Sequence, residues 1–322
     1  MGLLALGLLV LGLGAWGAIW FITGMPGPRH AFAAEGRTDE ERALAGRLKA
    51  HVEALASGPR EAADEASQDR ALAYLDHHLR AAGLAPTRQR TAAHGNGFPN
   101  LVAQVPGRDP GLGVIVVGAH YDTVPHSPGA DDNASGLAVL LELARLREGR
   151  PMPRGVIFAC FSEEEVDMRG SRAVAADLRA RGVAVEGMLS LEMLGYYRQE
   201  EGSQRYPAAA LGWLYPRRGN FVALVGNLPS RPLLRTCVEA FRRGVSFPCE
   251  GLAAPDALRD IFRSDNAAFW NEGFPAVMVT DTSNFRNPNY HKPTDVPSTL
   301  DYDAMARVTR GLDGVLDRLG AP

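Results

Sequence analysis

Three short runs in this sequence are almost continuously apolar, and each ends on side chains that can bind a metal or move a proton. Val114-Ile115-Val116-Val117 leads through Gly118 to His120, Gly155 to Phe161 leads to Glu163-Glu164-Glu165, and Met188-Leu189-Ser190-Leu191 leads to Glu192. A strand that is apolar on both sides must be covered on both sides, as a central strand of a largely parallel sheet is. Segments of helical period alternate with these runs. One extends from about Ala134 to Arg147 with Leu137, Leu140, Leu141 and Ala144 on its buried stripe, and another from Gly170-Ser171 to about Ala180. Further strands are predicted at Asn100–Val105, Phe221–Val225 and Ala276–Thr280, with helices at Leu233–Arg242 and Leu300–Leu319. The alternation predicts an α/β fold: a single mixed, mostly parallel sheet flanked by helices on both faces. The 322 residues, 46% of them hydrophobic, suffice for one such core. In open α/β sheets, sites gather at the carboxyl ends of the strands, where the acidic and histidine residues fall here.

Ahead of this lies a different text. Met1 to Met25 carries no charged side chain, and Leu3 to Ile22 is nearly all apolar. About 20 helical residues span the ~30 Å hydrocarbon layer of a membrane, whereas the apolar part of a signal peptide is ~7–15 residues long. The segment is expected to be an uncleaved N-terminal transmembrane helix over 1–25, the alternative being a signal peptide cut near Ala31-Phe32-Ala33. A linker is expected over 26–40 and the folded domain over 41–322. Two helices open the domain, one carrying Leu44, Leu48, His51, Val52 and Leu55 on one face, the next carrying Ala71, Leu72, Leu75 and Leu79. His77 and His78 fall on the polar side of the second helix and are expected to be bystanders. The 195–218 stretch, rich in Gly, Pro, Tyr and Arg, has no clear period and is read as an insertion beside the site, a candidate lid. A net charge of −3 gives no footing for nucleic acid. Of the three cysteines, Cys160 sits in an apolar run, while Cys237 and Cys249 could pair as a disulfide outside the cytoplasm.

The strand-end residues carry the chemistry. His120 and Asp122 are two apart, so on an extended backbone their side chains point the same way, and a ligating imidazole needs a partner on its second nitrogen. Asp131-Asp132 places two carboxylates at a strand-to-helix junction, where their repulsion calls for a cation; capping a helix would need only one. Glu163-Glu164-Glu165 is costly at the end of a buried strand unless metal or solvent neutralises it. Glu192 repeats the pattern, and so does His291 within Asn289-Tyr290-His291-Lys292-Pro293-Thr294-Asp295.

Together these pieces resemble the M28 family of zinc metallopeptidases, the clan of bacterial leucyl-type aminopeptidases. The resemblance rests on Gly118-Ala119-His120-Tyr121-Asp122, Pro128 to Gly136, Glu164-Glu165 with Gly170-Ser171, Leu191-Glu192-Met193, and Tyr290-His291 with Thr294-Asp295. It implies a three-layer zinc-peptidase sandwich and two zinc ions. His120 and Glu192 would ligate one zinc, Glu165 and His291 the other, and Asp132 would bridge them. Glu164 matches the general base acting on metal-activated water, and Tyr290 a group that stabilises the oxyanion. Asp122 and Asp295 match carboxylates standing behind His120 and His291. The implied substrate is a peptide with a free amino terminus, its side-chain pocket built from Tyr196, Tyr197, the 195–218 insertion and the 283–288 loop. Asn266 stands where the family often has histidine, Glu192 where it often has aspartate, and Asp167 where glycine is usual.

The same resemblance leaves other activities open. A dipeptidase or carboxypeptidase would share the site. A glutaminyl-cyclase-like acyltransferase would use one zinc and lack part of the ligand set, and a non-catalytic binding ectodomain would have lost ligands; all five ligands are present here. Family members are commonly periplasmic or secreted, whereas Arg29 and Arg37 after the apolar run argue for a cytoplasmic domain. Two distant arginines are the weaker signal, so the domain is expected outside the cytoplasm.

Overall fold

In the computed structural model, the structure describes residues 13–14, 16–32, 38–90, 97–255 and 257–322. Among the described residues eight strands form one sheet: β1 (Thr87–Gln89), β2 (Asn100–Val105), β3 (Val114–His120), β4 (Gly155–Phe161), β5 (Val185–Glu192), β6 (Val222–Asn227), β7 (Cys249–Ala254) and β8 (Ala276–Thr280). Their order across the sheet is β1-β2-β4-β3-β5-β8-β6-β7. The four central strands, β4-β3-β5-β8, are mutually parallel. Antiparallel pairings of β2 with β4 and of β6 with β8 flank them. The predicted mixed, mostly parallel sheet is therefore observed.

Side-chain alternation divides the core into two layers. Ile115, Val117 and Ala119 of β3 pack with helices α1 (Asp39–Leu55), α2 (Glu65–Ala81), α3 (Gly136–Leu146), α5 (Arg231–Gly244) and α7 (Tyr302–Gly320). Val114 and Val116 of the same strand point to the other face, against α4 (Arg169–Ala180) and α6 (Asn266–Asn271). The helices start where their side chains can satisfy the first free N–H groups. Thr38 and Glu41 form a reciprocal capping box at α1, and Asp64 and Asp301 accept N–H bonds at the starts of α2 and α7.

Connectivity places the site. From β3 the chain crosses through α3 to β4 on one side of it, and from β4 it crosses through α4 to β5 on the other side. The loops leaving β3 and β5 thus diverge and open a crevice at their carboxyl ends, the switch point at which α/β sheets bind ligands.

Most of the expected N-terminal span lies outside the described residues. Residues 16–23 are helical, with Trp16, Trp20 and Phe21 exposed, and among the described residues no helix is long and apolar enough to cross a membrane. The start of the expected linker packs on the domain. Phe32 meets the Phe247 ring edge-on at 5.5 Å, His30 Nε2 lies 2.7 Å from the Arg242 carbonyl, and Arg242 Nη1 donates to the Pro26 carbonyl at 3.1 Å. The disulfide considered for Cys237 and Cys249 is not formed. All three cysteines are free and buried, and burial raises the Cys160 and Cys237 thiols to about 12, so they act as small apolar side chains.

Candidate metal centre

The strand-end residues converge. His120 closes β3, Glu192 closes β5, Glu164 and Glu165 lie on the loop after β4, and Asp132 lies in the turn between β3 and α3. His291 reaches in from the long loop after β8, on a left-handed backbone of φ 58°. His120 Nε2 lies 3.3 Å from Asp132 Oδ1 and 3.5 Å from Glu192 Oε2. On the other side, His291 Nε2 lies 3.1 Å from Asp132 Oδ2 and 3.4 Å from Glu165 Oε1. The two oxygens of Asp132 thus face two separate histidine–carboxylate pairs, and two donor groups share that one residue.

This donor set fits zinc. Ligand atoms arranged tetrahedrally ~2.0–2.1 Å from zinc stand roughly 3.3 Å from one another, which is the spacing found within each group. His120 Nε2 and Glu165 Oε1 are buried without a hydrogen-bond partner, a costly arrangement unless a cation meets them. Imidazole nitrogen and carboxylate oxygen are also the donors zinc accepts readily.

Electrostatics says the same. Burial alone would pull the imidazole of His120 down, but Glu164, Glu192, Asp122 and Asp132 hold it well above its usual value. His291 is likewise opposed by burial, yet Asp132 and Glu165 raise it to about 9. The Asp132 carboxyl, which burial would raise, is kept well below the usual range by His120 and His291. Glu164 is pushed well above its usual value by burial and by Glu192, Asp265 and Glu165, with His120 opposing. The cluster holds more negative charge than its buried surroundings tolerate, so it favours positive partners.

Two carboxylates fix the backbone under the ligands. Asp122 accepts the N–H groups of Glu164 at 3.0 Å and Glu165 at 3.1 Å, while its own carbonyl oxygen is 3.2 Å from His120 Nδ1 and its Oδ1 is 3.5 Å away. Asp122 therefore backs His120 as the sequence suggests and also clamps the Glu164-Glu165 turn. Asp295 does not stand behind His291 as expected. It accepts the N–H groups of Asp131 at 3.0 Å and Asp132 at 3.1 Å, so it steadies the shared carboxylate instead. Asp131 is turned away from the centre, accepting from Gly195 N at 2.8 Å and Asn287 Nδ2 at 2.7 Å.

Other residues brace the centre, and the first of them, Arg60, carries no local sequence signal. The buried Arg60 guanidinium donates to the carbonyls of Leu55, Tyr121, Pro128 and Gly129 at 2.8–3.0 Å, stitching the loop after β3 to the turn that bears Asp132. Gly129 has φ 61°, and a Cβ there would collide with the Asp132 carbonyl and the Thr123 methyl, so only glycine serves. Asn133 Oδ1 accepts from Gly136 N and Met193 N, both at 3.1 Å, taking the capping duty and leaving Asp132 to the centre. Ser264 Oγ donates to Glu192 Oε2 at 2.7 Å. Asp167, standing where glycine is usual, adopts φ 68°, a left-handed conformation costly for a side chain with a Cβ. Asn266 is turned inward, donating to the Ile261 carbonyl at 2.9 Å.

Next to Glu192 and Tyr290 opens a mainly apolar pocket. Tyr206, Pro207, Leu211 and Tyr215 of the 195–218 segment line it together with Phe221, Leu224 and Met278. The segment lines the cleft as expected. Tyr196 and Tyr197 do not: both are buried, and the Tyr197 ring packs edge-on against Phe247 at 5.5 Å.

Comparison with known proteins agrees with this geometry. The model of "Peptidase family M28" matches residues 100–315. The chain is 36% identical to YfbL of Escherichia coli (strain K12) over 274 residues, covering 81% of this chain and 82% of that one. It is 28% identical to leucine aminopeptidase 1 of Trichophyton equinum over 236 residues, 68% of this chain but 57% of that longer protein. LapB from Legionella pneumophila superposes with a TM-score of 0.72 at 21% identity, covering 96% of this chain and 81% of that structure.

Proposed function

Since the chain belongs to peptidase family M28, we propose that it is a zinc-dependent aminopeptidase that removes residues from the amino terminus of peptides at a two-zinc centre. The observation that carries this reading is Asp132, whose two oxygens each complete a separate histidine–carboxylate group. His120, Glu192 and Asp132 would hold one zinc, and His291, Glu165 and Asp132 the other. Zinc bound there lowers the pKa of the attacking water and polarises the scissile carbonyl.

The remaining work falls to the chain itself. Glu164 carries a carboxyl raised well above its usual value by burial and neighbouring acids, the direction that strengthens a carboxylate as a proton acceptor. It takes a proton from the attacking water and delivers it to the leaving amine. Tyr290, which lines the cleft with Asp132, Glu164, Glu165, Glu192 and His291, donates its hydroxyl to the developing oxyanion. The carboxylates of Glu164 and Glu192 favour a free α-ammonium group, which selects the peptide's first residue. The apolar pocket beside Glu192 takes that residue's side chain, favouring large apolar types.

A panel of amino-acyl anilides and N-blocked peptides, with and without a chelator, tests the reading. Free-amino substrates should be cut, blocked ones spared, and chelation should abolish turnover; equal cleavage of blocked peptides refutes an aminopeptidase. Metal analysis should return two equivalents of zinc. We further propose that the apolar N-terminal stretch anchors the domain at the outer side of a membrane. Digestion of the domain in intact cells or spheroplasts would support this, and protection in both would overturn it.

A further inference from the structure

We infer that Arg263 is a positioning residue for Tyr290: by occupying a lone pair of the phenolic oxygen it turns the hydroxyl proton toward the reacting carbonyl. The inference rests on the aminopeptidase reading and concerns a residue outside every motif that led to it.

Arg263 Nη2 lies 3.1 Å from Tyr290 Oη. A guanidinium only donates, so in this pair the phenolic oxygen must accept, while a neutral phenol keeps one proton to give. With one lone pair of the oxygen engaged by Arg263, whose guanidinium carbon lies 5.8 Å from the ring centroid, that proton is turned away from the guanidinium. Among the described residues the Tyr290 hydroxyl makes no second hydrogen bond, and Tyr290 lines, together with Arg263, the cleft holding Asp132, Glu164 and Glu192. The proton therefore has a cleft to point into and no protein acceptor to draw it elsewhere.

Both partners are held. The Tyr290 ring stacks on the imidazole of His291, with centroids 3.7 Å apart and planes 23° apart. Arg263 Nη1 donates to Asn284 Oδ1 at 3.2 Å and faces Asp260 at 3.6 Å, so its second nitrogen is presented to Tyr290 in a fixed direction. With the ring clamped, the hydroxyl rotor is the freedom left, and Arg263 sets it. Two plainer readings compete. Arg263 is half exposed at 46% and could be a rim charge of no consequence, or it could bind a substrate carboxylate directly.

The test uses the full chain loaded with zinc and four variants: Arg263→Met, Arg263→Lys, Tyr290→Phe and the Tyr290→Phe/Arg263→Met double. Loss of one oxyanion donor costs about 100- to 1000-fold in kcat, and misaiming one should cost less, so Arg263→Met is expected to lose roughly 10- to 100-fold in kcat with KM within about twofold. In the Tyr290→Phe background the same change should cost under about threefold, because there is no hydroxyl left to aim. Lysine, which can donate one bond but not the fork, should recover part of the loss. Calorimetric binding of a phosphinate peptide mimic, whose tetrahedral oxygens imitate the oxyanion, should weaken in parallel with kcat, while binding of the product amino acid stays unchanged. Unchanged kcat and phosphinate affinity in Arg263→Met, or losses that multiply in the double variant, would overturn the inference. So would a raised KM that persists in Tyr290→Phe, since Arg263 would then hold substrate itself. A wild-type protein inert toward every free-amino substrate removes the aminopeptidase reading and the inference with it. An active wild type with an indifferent Arg263 removes the inference alone.

Discussion

Asp132 and Glu164 sit in the same cleft and should fail in different ways when altered. Asn in place of Asp132 keeps the shape but turns one oxygen into an N–H donor, which repels a cation. Asp132→Asn should therefore lower zinc content well below two equivalents and reduce kcat/KM by about 1000-fold or more, because the metal-activated water is lost with the ion. Glu164 faces the cleft but belongs to neither donor group. Glu164→Gln should keep both zinc equivalents and lose about 100- to 10,000-fold in kcat, the usual worth of a general base. Metal analysis alongside kinetics separates the two, and zinc loss in Glu164→Gln would show that its role has been misassigned. A third residue reports on stability rather than turnover. His78 is pulled down to about 4 by burial and by the imidazoles of His51 and His77, with Glu142 pulling the other way. An unfolded histidine titrates near ~6.5, so between there and about 4 the unfolded chain binds a proton that the folded chain refuses. Stability is thus full above that window and falls as the pH drops through it. His78→Gln removes this term, so in the zinc-loaded protein the loss of melting temperature between pH 7 and pH 5 should be smaller than in the wild type. An equal loss in both proteins would place the acid sensitivity elsewhere.

Elements were legible in proportion to how two-sided their burial is. Strands β3, β4 and β8 are apolar on both faces, and their text left no competing period. Strand β7 reads Cys-Glu-Gly-Leu-Ala-Ala at the sheet edge, with Glu250 and Leu252 only partly buried, and gave no such signal; neither did the three-residue β1 nor the six-residue α6. The ligands were legible for a related reason, because each stands where an apolar run stops. What was illegible is what reaches them from elsewhere: Arg60 from the loop before α2, and Asp295 gripping two N–H groups 163 and 164 residues away. No local pattern encodes a partner that distant. The same limit hid the tie between α5 and the N-terminal segment. Arg242 of α5 is 2% exposed, donates to the Cys249 carbonyl at 3.1 and 2.7 Å, and donates to the Pro26 carbonyl at 3.1 Å. Methionine there would fill the space and leave the buried Cys249 carbonyl without these donors. Arg242→Met should destabilise the fold by about 2–4 kcal/mol, read as a shift in urea midpoint at constant slope. No metal-centre residue lies on α5, so kcat/KM at 25 °C should be unchanged. A drop in kcat/KM without a shift in midpoint would contradict the purely structural role.

At the scale of the whole molecule, the sheet does something costly: it brings Asp132, Glu164, Glu165 and Glu192 into one crevice from two strand ends and a turn. That is tolerable when positive charge comes with them. Without metal, the charge available is protons, which His120 and His291 hold above their usual range. Glu164 and Glu165 are also raised, chiefly by burial, with like charges adding to it. A carboxyl raised in the folded state binds a proton more readily there than in the unfolded chain, so its contribution to stability is present at low pH and is lost as the pH rises through the folded value. The metal-free protein should therefore lose stability as the pH climbs from about 5.5 to 8, while zinc, competing better for deprotonated ligands at the higher pH, should restore more there. Ligand at 100 times its dissociation constant stabilises the state it binds by about 2.7 kcal/mol. In a protein of this size that is a rise of roughly 4 °C in melting temperature per site. Scanning calorimetry of the chelated and zinc-loaded protein at pH 5.5 and 8 should show a zinc-dependent gap that widens with pH, and Asp132→Asn should lose most of it. A gap of equal size at both pH values, or one that survives in Asp132→Asn, would mean that zinc stabilises the fold from some place other than this crevice.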